Sequence, residues 1–132
     1  MKYQAKIITL WATFLLGTLF HTQLGLMPLF HGQDIAHSHG ESDISWILWL
    51  MLLFFIVPIF AMIGTIFTQS KRFRIGHFGL TIIYSVLNFI HITADLLVSP
   101  IAWYQITLMI ILFLIGLLLN LVAFGWMKYQ AS

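Results

Sequence analysis

The apolar run from His77 to Val98 carries five polar side chains, Thr81, Tyr84, Asn88, His91 and Asp95, at steps of three and four residues. On a helix these share one face. Asp95 is the sole acidic residue outside the segment Asp34–Asp43. A carboxylate within apolar sequence is costly unless it is paired, coordinated or hydrated. A His–Asp pair at i and i+4 can give two ligands to one metal ion, or the carboxylate can orient the imidazole that binds it. His21 offers a second imidazole. It precedes Pro28 by seven residues, as His91 precedes Pro100 by nine, which places the two at depths of ~10 and ~13 Å on helices rising about 1.5 Å per residue. Two histidines and one carboxylate suit Fe(II), Zn(II) or Cu(II). The stripe therefore predicts a buried polar or metal site without naming a reaction.

Other readings of the same residues stand beside this one. His91 could simply bond Asp95 or a carbonyl and help lock a helix bundle, since interhelical hydrogen bonds are common in membranes. His21 and His91 at matching depth could also be axial ligands of a b-type haem. Gly17 and Gly25 flank His21 at four-residue steps and would either admit a flat porphyrin or allow close helix contact. Against haem, no Lys or Arg lies on that side to pair propionates, and Asp95 would repel them. His31, His37 and His39, with Asp34, Glu41 and Asp43, form a polar connection at the same end; they read as extra ligands, a gate, or an ordinary polar loop. Met27 could bind Cu(I), whereas Met51, Met62 and Met109 read as packing residues. Gly116 and Asn120 suggest a helix contact too deep to join His91. His77, beside the basic segment, reads as interfacial.

The elements that must position these groups follow from composition. Of 132 residues, 61% are hydrophobic and 8% charged, where soluble domains carry about 25% charged residues; the solvent is a bilayer. Four runs reach the ~20 residues that cross a hydrocarbon core: Ile7–Phe30, Ile44–Thr68, His77–Val98 and Ile101–Met127. Spans must be helical to satisfy their backbones. Short connections favour antiparallel neighbours, so the expected fold is all-α, one integral membrane four-helix bundle over residues 1–132. Pro28 and His31–Gly32 end the first span, and Ser42 or Asp43 caps the second. The third starts near Gly76 and stops before Pro100. Pro58 predicts a kink near Phe54. Trp46, Trp49 and Trp103 mark one interface and Trp11 and Trp126 the other. The Lys2–Lys6 start followed by a long apolar run reads as a retained span rather than a cleaved signal.

Lys2, Lys6, Lys71, Arg72, Arg74 and Lys128 all fall at one end. The positive-inside rule then puts both termini in the cytoplasm and the histidine-rich connection outside. The first and third spans hint at a parallel repeat, each with one outer histidine and a closing proline, though the spacings differ. Net charge of +2 without a basic stripe argues against nucleic acid. The absence of cysteine excludes disulfides, thiolate metal sites and Cys nucleophiles. No HExxH motif, Walker loop or paired intramembrane carboxylates occur, and enzyme activity stays open. The expected function is a polytopic membrane protein with a His/Asp metal site of Cu, Zn or Fe. Haem b binding, or a cofactor-free subunit of a larger membrane complex or homo-oligomer, is the alternative.

Overall fold

The computed structural model describes residues 2–35 and 43–130. Four long helices account for most of them: α1 (Tyr3–Leu26), α2 (Ser45–Phe67), α3 (Lys71–Leu96) and α4 (Trp103–Lys128). All four are long and apolar enough to cross a membrane. A short 3-10 turn, Met27–His31, extends α1. It closes at Gly32, whose φ of 73° is a left-handed conformation that a β-carbon disfavours. Before α2, the Ser45 N–H donates to Asp43 Oδ1 at 2.9 Å, and the Ser45 hydroxyl and N–H together hold the Asp43 carboxyl below the usual carboxylate range.

α4 is the axis of the fold. It packs along both α1 and α3, while α2 rests chiefly on α1. Its buried residues, Ile106, Met109, Leu112, Gly116, Leu119, Ala123 and Trp126, recur at three and four residues, the stripe needed for contact along its whole length. Gly17 of α1 fits this surface closely. A β-carbon there would collide with the Leu112 side chain, so the helices approach through the missing methyl. Gly116 faces Ser85 of α3 with less to spare than an ordinary contact, and Asn120 Nδ2 donates to Ser85 Oγ at 2.8 Å. Gly17 and Gly116 thus both sit at close helix contacts.

α2 runs unbroken through Pro58. Proline lacks the N–H that would bond the carbonyl four residues back. That carbonyl, of Phe54, instead accepts from Tyr84 Oη at 2.6 Å, so α3 supplies the missing donor and is tied to α2 by the same bond. The buried residues of α2, Pro58, Ala61 and Thr65, lie in its second half. Its first half presents Trp46, Trp49 and Leu53 outward, an apolar face suited to lipid.

Two sequence expectations need correction at the end that carries both termini. α3 begins at Lys71, capped by Ser70 Oγ, which accepts from the Phe73 N–H at 3.2 Å. Helix therefore runs through the basic segment, and His77 sits well inside it. His77 is buried within the bundle. Trp11 and Trp126 are core residues as well, in contrast to the exposed Trp46, Trp49 and Trp103. Trp11 Nε1–H donates to His77 Nε2 at 2.9 Å, and the His77 ring packs against both Phe73 and Trp126. A buried indole N–H needs an acceptor, and the histidine provides it.

Candidate metal centre

At the opposite end the bundle brings together His21 of α1 with His91 and Asp95 of α3. Their ligand-capable atoms all lie within 4.8 Å of one another, the one such group of three among the described residues. His91 Nε2 stands 3.4 Å from His21 Nε2 and 3.3 Å from Asp95 Oδ2. Two ligands held tetrahedrally at about 2.0–2.1 Å from an ion stand about 3.3–3.4 Å apart. The two edges that meet at His91 Nε2 have that length. They are long for hydrogen bonds.

Gln105 of α4 fixes which nitrogen of His21 faces the group. Its Nε2 donates to the His21 carbonyl at 3.0 Å, and its Oε1 lies 2.8 Å from His21 Nδ1. A carbonyl can only accept, so the amide orientation is determined at that end. Oε1 must then accept from Nδ1–H. The His21 Nε2 consequently carries its lone pair toward His91. Such a bond from the far ring nitrogen is how proteins orient a ligating histidine and raise its basicity. Gln105 escaped the sequence reading. The only signal for it was a long polar side chain near the start of the fourth span.

Three electron-pair donors thus converge: the lone pair of His21 Nε2, a carboxylate oxygen of Asp95, and His91 Nε2. A proton on His91 Nε2 can be shared imperfectly between the other two; a cation would satisfy all three. His21 is half-buried, whereas the side chains of His91 and Asp95 are 52% and 31% exposed. The polar stripe of α3 therefore divides. Thr81, Tyr84 and Asn88 are buried, whereas His91 and Asp95 lie at a partly exposed rim, which corrects the expectation of a buried His/Asp group. Below the rim a cavity of about 390 Å³ opens between the helices, lined by His21, His91 and Asn88 with apolar walls that include Phe14, Phe54 and Met109. Asn88 Nδ2 is buried with no hydrogen-bond partner.

The other histidines of this end stand apart. His31 is exposed at the close of the 3-10 turn and is not in the group. His37 and His39 fall outside the described residues. The residues fit a haem poorly. The two Nε2 atoms leave no gap for a tetrapyrrole plane, and Gly17 and Gly25 are turned toward Leu112 and Gln105 of α4. The donor set suits a single small ion.

No protein-family model matches this chain, and no curated protein or solved structure is significantly similar to it.

Proposed function

We propose that this chain is a small polytopic membrane protein that binds one transition-metal ion through His21, His91 and Asp95. The observation that carries the reading is the pair of donor–donor edges, 3.4 and 3.3 Å, with His21 held by Gln105 in its ligating tautomer. Three protein ligands leave a fourth position free, the pattern of sites that exchange ligands rather than purely structural ones. Imidazole and carboxylate donors suit Zn, Cu or Fe. His31, His37 and His39 are candidate further ligands or a gate. The clustering of all six basic residues at the other end supports cytoplasmic termini and an extracytoplasmic metal site. Elemental analysis of purified protein beside a His91→Ala variant tests the proposal. About one ion per chain in the parent and a large loss in the variant is the expected result; equal metal content in both would refute it. Absence of a Soret band from gently extracted membranes would dispose of the haem alternative.

A second reading rests on the His91–Asp95 contact itself. The pair could lock the bundle without a cofactor, in a subunit whose exposed α2 face docks on a larger membrane complex. A double-mutant cycle at His91 and Asp95 separates the two: coupling that persists in chelator-treated protein favours the assembly role, and coupling that appears only with metal favours the ion site.

A further inference from the structure

A basic pocket lies at the end of the bundle that carries both termini, opposite the His21–His91–Asp95 group. We propose that it binds the phosphate headgroup of an anionic phospholipid. The pocket, about 520 Å³, is formed where the first turn of α3 meets the last turn of α4, and Lys71, Arg74, Ile75, Lys128 and Gln130 contribute to its lining. Its charge is one-sided. The four acidic residues of the chain are Asp34, Glu41, Asp43 and Asp95, none of them in the helix ends that build this pocket.

The local dipoles add to this field. The α3 N-terminus presents its positive end at Lys71. The negative end of α4 is neutralised internally, because Arg74 Nη1 donates to the carbonyls of Trp126 and Tyr129 at 2.8 and 2.6 Å. Lys128 Nζ lies 4.4 Å from the Phe124 ring centroid, beside the pocket that it helps to line. Lys71 is exposed. Two lysines, a capping arginine and a helix N-terminus therefore converge on a space that no acidic side chain lines among the described residues.

The apolar surroundings select a lipid over a free anion. Ile75 lines the pocket, and Phe78 and Ile82 continue its face down α3 at helical spacing. On α4, Phe124 and Leu121 continue the face of Lys128. The Phe78 and Phe124 rings meet at 5.5 Å, so the two faces form one seam leading from the pocket toward the hydrocarbon. Ile82 and Leu121 are exposed along it, where acyl chains would lie. Basic pockets between spanning helices bind acidic headgroups by this combination of charge and seam.

The test compares two double variants of equal charge change in the full-length protein. Lys71→Gln with Lys128→Gln removes the pocket charges. Lys6→Gln with Arg72→Gln removes two charges that do not line it. Binding of phosphatidylglycerol, phosphatidylcholine and inorganic phosphate to detergent-solubilised protein is followed by native mass spectrometry and by retention in mixed-lipid nanodiscs. The expected result is preferential binding of phosphatidylglycerol, weakened about 30-fold by the pocket pair and less than about threefold by the other pair. Equal losses in both variants would reduce the effect to general surface charge and overturn the site. Equal binding of phosphatidylcholine would overturn the headgroup preference, and inorganic phosphate binding as tightly as the lipid would overturn the role of the seam.

Discussion

His77 and the His21–His91 pair show two fates of the same side chain within one bundle. Near the terminal end, His77 has its Nε2 occupied by the Trp11 N–H and its ring packed against Phe73 and Trp126. Near the other end, Gln105 occupies the far nitrogen of His21 and leaves Nε2 turned toward His91 and Asp95. The two ends differ in burial, His77 being enclosed and His91 exposed. They differ as well in the ring nitrogen that a neighbour takes. At His77 the accepting nitrogen is consumed by a donor that is itself part of the core. At His21 the neighbour is an acceptor, which sends the lone pair outward.

The most severe way to break the comparison is at the closed end. Trp11→Ala empties a fully buried indole site and is expected to cost about 3–5 kcal/mol, read by reversible unfolding in mixed micelles, while folded protein keeps its metal stoichiometry. Loss of metal at unchanged stability would merge the two ends into one unit. Next in size is His21→Ala, which should weaken metal affinity more than about 100-fold, beyond the range for a supporting residue, as measured by competition with a chelator. Unfolding stability should move by only about 1 kcal/mol. The parent's affinity should also fall on acidification, because the ligating nitrogen must be unprotonated.

Gln105 sharpens the contrast further. Gln105→Leu removes the acceptor for Nδ1–H and should lower affinity about 10–100-fold. Gln105→Glu keeps that acceptor and should recover most of the loss; equal defects in both would mean that the residue only packs. The smallest effect is expected at Tyr84→Phe. It removes the donor to the Phe54 carbonyl and should cost about 0.6–1.7 kcal/mol, the range for interhelical hydrogen bonds in membranes, with metal affinity unchanged.

The four helices were legible because apolar runs of spanning length have few alternatives. The spacing of Thr81, Tyr84, Asn88, His91 and Asp95 placed two members of the group on one face, and the depth of His21 below Pro28 suggested the third. Gln105 was not legible. It is 84 residues from His21, and beside Trp103 and Tyr104 it looks like any polar residue at an interface. The burial of Trp11 and Trp126 was hidden for a related reason: interfacial belts and tight cores both use tryptophan, and only the rotation of the helix tells them apart. The burial of His77 was not legible because the basic segment drew attention to an interface. With α3 starting at Lys71, His77 is six residues, or ~9 Å of helix, inside it.

Gly17 carries a consequence for the distant pair of imidazoles. His21 stands one turn above it on α1, and Gln105 stands two turns from Leu112 on α4, the residue that fills the space over Gly17. Alanine at position 17 would set its β-carbon against the tip of the Leu112 side chain, which would have to turn aside in the core beneath His21 and its amide partner. The packing under that imidazole thus depends on a hydrogen atom at a place where every other residue would bring a carbon.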